Sequence, residues 1–485
     1  MDQPLILGLD IGTSSVRAAL YTENADIIPR SLVRLDHSFT VTPDGGSEFD
    51  ADEMVSRIAQ VIDSVLARPR KGEIEAVAVS AFWHSLLGVD RRGNPVTPVF
   101  GWADTRSRDY SAVLKERFDE RLVHDRTGAH FHSSFWPAKL LWLRRSMTDV
   151  FARADHWLSF SDYLAQQLSG TAVTSVSMAS GTGIFDQARC DWDGELLRYL
   201  KVRRSQLPHL AADSEAIPRL KPAFVRRWQQ LKKAVWFPAV ADGAVDHVAS
   251  SGLGQGRASL MVGTSAAMRV AFTGEPPEHV PDGLWCYRID RRRVIIGGAL
   301  SDGGNLYELL TRTLNIPKNA EEQMRQRGAA AHGLTVLPFF LGERSTGYRE
   351  DARGAILGLI ASHDAIDVLQ AAMESVAYRL AVIQDQLKHV TKIKHIVASG
   401  GALHRSSVWT QIIADVLGRD LLTNSTPEAS MRGAVLLALE SLGKIDNIDS
   451  FSSPAAIPLA YHTECHTAYR EARKQHEEYY KLISK

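Results

Sequence analysis

The sequence is poor in cysteine: Cys190, Cys286 and Cys465 are the only three in 485 residues, and no Cys-x-x-Cys pair occurs. That scarcity excludes a disulfide scaffold and an evident zinc or iron–sulfur site, and it fits a reducing compartment. Net charge is absent too, Lys plus Arg and Asp plus Glu each totalling 56. The basic clusters, Arg226 with Arg227 and Arg291 to Arg293, are short and isolated. Nucleic acid and anionic membrane are therefore poor partners. No apolar run reaches the ~20 residues of a membrane span, and nothing before the first strand reads as a signal peptide. These absences lead to the expectation of a soluble, cytoplasmic protein. The length, by contrast, exceeds what one growing core supports, which predicts two large domains or three smaller ones.

What is present begins with "LGLDIGTSSVRAAL". Residues 5–9 and 16–21 predict two apolar strands joined by a tight reversal at Gly12, Thr13, Ser14 and Ser15. Backbone N–H groups and hydroxyls at such a tip suit phosphate oxygens, although glycine and serine mark turns of every kind. Asp10 adds weight, because a carboxylate at a strand end needs a donor, a metal ion or water to offset its burial. A divalent cation carried by a nucleotide meets that need. No Gly-Lys-Ser/Thr follows, so this is not a Walker loop. "LMVGTSAAMRVAF" at 260–272 repeats the pattern. The chain thus reads as two related halves, each giving one hairpin to a shared cleft.

Proline, glycine and aspartate thicken over residues 238–256, which places the boundary there and the halves at 1–245 and 246–485. Strand-like stretches such as "EAVAVSAF" and "HIVASGG" are mixed with helical ones such as "AIDVLQAAMESVAYRLAVIQDQL", so the class is α/β. "VASGGALHRSSVWTQIIADVLGRDLL" reads as strand, Gly-Gly turn, helix and strand. A glycine pair there admits a ligand close to the backbone and supplies a third wall for a nucleotide site. At the boundary stands Asp242, between Ala241 and Gly243 and followed by Asp246. On local sequence it reads equally as a turn residue or as a catalytic carboxylate set between domains.

In order, "GLDIGTSS", "WADTR", "ADGAVDHVASSG", "MVGTSAA", "GAILGLIASHDAIDVLQAAMES" and "ASGGALHRSSVWTQIIADVLG" resemble the FGGY carbohydrate kinases of the actin, Hsp70 and sugar kinase superfamily. The resemblance runs from about residue 5 to about 445 and is most specific at 354–374, where Gly-x-Ile-x-Gly-Leu and Ala-x-Met-Glu fit the family's C-terminal signature. In the N-terminal signature Trp136 stands where the family usually has Pro, Ser or Thr, while Lys139 and Trp142 keep their places. The resemblance implies a two-domain, ribonuclease H-like α/β fold with the active site in the interdomain cleft. It further implies ATP and Mg²⁺ as cofactors and a sugar acid or polyol as acceptor, and it allows a homodimer.

Residue by residue, the resemblance makes Asp10 a metal-side carboxylate acting through water, and places Thr13 and Ser14 at the terminal phosphates with Gly263 and Thr264 opposite. Gly304, Gly400, Gly401 and Ala402 would follow the nucleotide base and ribose. Asp242 would be the general base and a second metal-side carboxylate. His84, Trp102, Asp104 and Arg106 match substrate positions, although His84 and Trp102 taken alone read more often as core residues. Arg106 and Lys139 each read as a partner for a substrate carboxylate or as a solvated charge. "AFWHSLLGVD", "GWADTRS", "DRTGAHFH" and "WCYRIDRRRVIIGGALSDGGNLYELL" resemble stretches of gluconokinases, which makes D-gluconate the expected acceptor and a pentulose or other polyol the alternative. An ATPase scaffold would need a peptide-binding module and a sugar-responsive regulator a DNA-reading segment, and the sequence offers a signal for neither.

Overall fold

Six strands build the first sheet: β1 (Leu5–Ile11), β2 (Ser15–Tyr21), β3 (Val33–Asp36), β4 (Ile74–Ala81), and the short β5 (Val235–Trp236) and β6 (Val240–Ala241). The computed structural model describes residues 4–254, 256–423, 426–450 and 456–483. β1 is antiparallel to β2 and parallel to β4, and both short strands run along β4. β1 is apolar on both faces save for Gly8 and Asp10, as a central strand covered by helices requires, and all seven of its residues are buried.

The second sheet repeats this plan with β7 (Arg257–Val262), β8 (Ala266–Thr273), β9 (Trp285–Arg288), β10 (Arg293–Leu300), β11 (His395–Ser399), β12 (Leu421–Thr423) and β13 (Ile457–Leu459). The order β3-β2-β1-β4 in one sheet corresponds to β10-β8-β7-β11 in the other. Each has a hairpin whose first strand also pairs in parallel with a later strand. Two sheets of one plan are thus present, and both Gly-Thr-Ser segments are hairpin tips. The Gly12 N–H donates to the Ser15 carbonyl at 3.0 Å and the Gly263 N–H to the Ser265 carbonyl at 2.9 Å. The second tip is one residue shorter, since Ile11 faces Val16 whereas Val262 faces Ala266.

The helices packed around these sheets include α1 (Ala51–Leu66), α2 (Asp242–Ser251), α3 (Gly304–Thr313), α4 (Ala365–Leu387), α5 (Ser407–Leu417), α6 (Ala429–Ser441) and α7 (Thr463–Ile483). α4 occupies the whole stretch read as helical, and reciprocal bonds between Asp364 and Asp367 close its N-terminus. Beside the cores of the two sheets, a third apolar cluster forms within residues 86–207 around Trp136 and Trp157. Trp136, the departure from the family pattern, is fully buried there, its indole N–H donating to the Ser85 carbonyl at 2.9 Å. Among the described residues, no helix is long and apolar enough to cross a membrane.

α6 follows every strand of the second sheet but β13 in sequence yet belongs to the first core, where Met431, Ala434, Val435 and Leu439 pack under β1 and β4. It crosses α2 so closely that a Cβ at Gly433 would lie 2.0 Å from the Val245 carbonyl oxygen. Gly433→Ala is therefore expected to cost ~1–3 kcal/mol or more through overpacking against backbone. Gly194→Ala, whose added methyl meets only the Arg198 side chain at 3.6 Å, is the control. Urea denaturation should show a lowered midpoint for the first variant and an unchanged one for the second.

Candidate functional site

A cleft of about 620 Å³ opens between the halves. Of the residues singled out in the sequence, Thr13, His84, Trp102, Asp242, Gly263, Thr264, Gly400 and Gly401 line it. Gly304 and Ala402 lie directly behind Gly263. The Gly304 N–H donates to the Gly263 carbonyl at 2.8 Å, and a Cβ on Gly304 would stand 2.4 Å from that oxygen and 3.3 Å from the Ala402 methyl. Gly400, at φ 105°, leaves no room either, since a Cβ there would meet the Val262 carbonyl oxygen at 2.4 Å. Both glycines are thus required by backbone packing before any ligand is considered. Ser14 is exposed at the first hairpin tip, outside the cleft lining.

Charge at the cleft is organised around three aspartates, of which Asp242 and Asp246 line it and Asp10 lies outside the lining. Asp10 is buried at the end of β1 and pairs with Arg17 on the facing strand, and Arg17 also reaches Glu428 at 2.7 Å. The Asp10 Oδ1 atom is buried without a hydrogen-bond partner among the described residues. Asp242 opens α2, and its Oδ1 accepts from the Gly243 N–H at 2.6 Å. Burial, and after it the charge of Asp10, push the Asp242 carboxyl up to about 7. Asp246, one turn further on, is raised by burial as well. Arg269 opposes both shifts, standing 3.6 Å from Asp246 and donating to the Gly243 carbonyl at 2.8 Å. Asp10 Oδ1 and Asp246 Oδ2 are both buried without a hydrogen-bond partner among the described residues, and hard carboxylate oxygens of this kind are the ligands Mg²⁺ takes.

The other end of the cleft is aromatic. His84 adopts a left-handed backbone conformation, φ 69°, which a non-glycine residue holds only when its surroundings impose it. Its Nδ1 lies 2.6 Å from the Gly181 carbonyl. A carbonyl only accepts, so Nδ1 carries the proton and Nε2 keeps its lone pair. Burial holds the ring neutral, well below the usual imidazole range. Trp83 stands edge-on to Trp285 at 5.8 Å and to Tyr287 at 5.1 Å, and those two rings stack at 4.6 Å. The Arg344 guanidinium lies over the Trp102 ring at 5.0 Å.

Asp104 and Arg106 pair with each other behind Trp102 and are not part of the cleft lining. Asp104 is buried and also accepts from the Ser47 N–H at 3.1 Å, while Arg106 bonds Glu48 and stacks on Phe100 and Trp142. Lys139 is fully buried, donates to the Ser133 carbonyl, and is lowered by burial to about 8. Residues that the sequence reading passed over as site candidates, Arg269, Trp285, Tyr287 and Arg344, line the cleft as well. Trp285 and Tyr287 had a signal, being i and i+2 on one strand and so on one face. Arg344 sits between elements, where no periodicity points to it.

Comparison with known proteins matches the chain to the FGGY family of carbohydrate kinases, to the N-terminal domain over residues 5–250 and the C-terminal domain over residues 258–442. The chain is 26% identical over 487 residues to gluconokinase of Bacillus subtilis (strain 168), covering 97% of this chain and 93% of that protein. A gluconate kinase structure from Lactobacillus acidophilus aligns with a TM-score of 0.91 at 25% identity, covering 99% of this chain and 98% of the other. The ligand-bound xylulose kinase from Lactobacillus acidophilus aligns with the same TM-score, identity and coverage.

The pairing of Arg17 with Asp10 yields a stability prediction. Arg17→Met leaves a buried carboxylate without its cation and should destabilise the protein by ~2–3 kcal/mol. Adding Asp10→Asn should recover part of that loss in the double variant, as read by urea denaturation of the three proteins.

Proposed function

The chain belongs to the FGGY family of carbohydrate kinases, and on that footing we propose that it transfers the γ-phosphoryl group of ATP to the terminal hydroxyl of D-gluconate, giving 6-phosphogluconate. The observation that carries the reading is Asp242: a carboxylate at the start of α2, raised to about 7, in a cleft with the glycine hairpins and an aromatic wall. In this reading Asp242 accepts the proton of the attacking hydroxyl as the phosphoryl group moves in line. Thr13, Gly263 and Thr264 face the phosphates, with Ser14 exposed beside them at the hairpin tip, and Gly304, Gly400, Gly401 and Ala402 shape the path of the base and ribose. His84 Nε2 accepts a substrate hydroxyl, Trp102 supplies an apolar wall, and the Asp104–Arg106 pair holds the turn that carries Trp102.

Asp10 and Asp242 would hold Mg²⁺, which neutralises phosphate charge when bound. The support for gluconate is the likeness of the sugar-side stretches to gluconokinases and the gluconokinase of Bacillus subtilis among the relatives. A second reading, a pentulose kinase acting on xylulose, has the equal likeness to the xylulose kinase structure behind it.

ADP release measured across sugars, polyols and sugar acids should give D-gluconate a kcat/KM at least tenfold above D-xylulose, and the reverse ratio would establish the second reading instead. Asp242→Asn keeps the size of the side chain but cannot accept the proton, so kcat should fall ~10²- to 10⁴-fold with nucleotide Kd nearly unchanged. Because the raised carboxyl is inactive as a base when protonated, kcat/KM should be lost as pH falls through about 7. A profile flat from pH 8 to pH 5 would place the base elsewhere.

A further inference from the structure

Among the described residues, Arg17, Arg269 and Arg344 line the cleft and Arg106 lies behind it, four guanidinium groups of which three face carboxylates. Arg17 pairs with Asp10 and Glu428, Arg269 faces Asp246, and Arg106 is held by Asp104 and Glu48. The fourth, Arg344, lines the cleft and has no described carboxylate within ion-pair distance. Its planar group lies over Trp102 at 5.0 Å. Beside it, the hydroxyl of Tyr287 is buried and has no hydrogen-bond partner among the described residues.

Arg344 is also held in place from both sides along the chain. Glu343, itself buried, accepts from Arg379 at 2.6 Å, from the Gly347 N–H at 3.1 Å and from the Tyr480 hydroxyl at 2.9 Å. Ser345 exchanges bonds with Ala299 on β10, its N–H donating to the Ala299 carbonyl at 3.0 Å and its Oγ accepting the Ala299 N–H at 3.0 Å. A cation fixed this firmly, partly desolvated and without a counter-charge, forms a ready seat for a planar anion. A guanidinium fork matches a carboxylate with two parallel bonds.

We propose that Arg344, assisted by the Tyr287 hydroxyl, anchors the carboxylate of the acceptor substrate and so selects a sugar acid over a neutral polyol. The inference rests on the sugar-acid reading given above. It assigns substrate selection to the second half of the chain, whereas the candidate substrate residues of the sequence all lie in the first. The acid is gripped at one end by Arg344, and its far hydroxyl is left to reach Asp242, whose charge Arg344 senses across the same cleft.

The test compares wild type, Arg344→Met, Arg344→Lys and Tyr287→Phe, with D-gluconate, D-xylulose and ATP each varied in turn. Arg344→Met should lower kcat/KM for gluconate ~10- to 10²-fold, chiefly through KM, the size of a lost hydrogen-bonded charge contact. The same variant should leave xylulose within a few-fold and the KM for ATP unchanged. Arg344→Lys should recover part of the loss because it restores the charge without the fork, and Tyr287→Phe, which keeps the ring and its packing, should show a smaller acid-selective loss. A parallel fall for gluconate and xylulose overturns the anchor, and so does a raised KM for ATP, which would assign Arg344 to phosphate. The sugar-acid reading is judged separately, by the wild-type preference alone. If the wild type turns over no sugar acid, the Ki of gluconate against the neutral acceptor carries the same comparison, and a Ki unchanged in Arg344→Met, or no inhibition at all, overturns the anchor.

Discussion

The crossing of α2 and α6 at Gly433 is the constraint on which the rest of the architecture depends. With a Cβ there only 2.0 Å from the Val245 carbonyl oxygen, no side chain separates the two helices. α2 begins with Asp242 and its flank packs toward the second sheet, while α6 seals the first core beneath β1 and β4. One close contact therefore ties the carboxylate at the cleft to both sheets. Glu428, just before α6, extends the tie by meeting Arg17 on the first hairpin, so both the floor and the rim of the cleft depend on the same helix.

Electrostatics in the cleft follow from this geometry. Three aspartates brought together by β1 and α2 repel one another in a setting where burial already disfavours their charge. Arg17 and Arg269 offset part of that cost, and the remainder appears as the raised carboxyl of Asp242. At the aromatic end the balance is the opposite, with a neutral His84, stacked rings and a cation that has no described carboxylate within ion-pair distance. The two ends of one cleft thus carry unlike demands, a cation at one and an anion or hydroxyl-rich group at the other.

The hairpins were legible in the sequence because an apolar run and a small-residue tip are local signals, and the helix at Ala365–Leu387 was legible because its apolar spacing is contiguous. Gly304 and Gly400 were found for a different reason from the one the structure supplies. The Gly-Gly turn around Gly400 points to ligand approach and the family resemblance alone placed Gly304, whereas in the fold the carbonyl oxygens of Gly263 and Val262 fill the space a Cβ would need. Asp104 and Arg106 were visible as a spaced pair, but only the fold reveals that they satisfy each other and Glu48. Arg344 was invisible, since an irregular segment between elements has no period and its partner Trp102 lies far away in sequence. The role of α6 was hidden for the same reason: nothing local indicates that a helix late in the chain covers a sheet made at its start.

That late helix bears on how the protein is made. During synthesis β1 and β4 emerge early, but the apolar face that Met431, Ala434, Val435 and Leu439 cover stays bare until the ribosome has passed Ser441. A nascent first half is therefore a chain with an exposed greasy surface, able to collapse but not to finish its core. Completion waits on almost the whole message, so a ribosome stalled in the second half before Ser441 leaves a product suited to chaperone capture rather than a working half-enzyme.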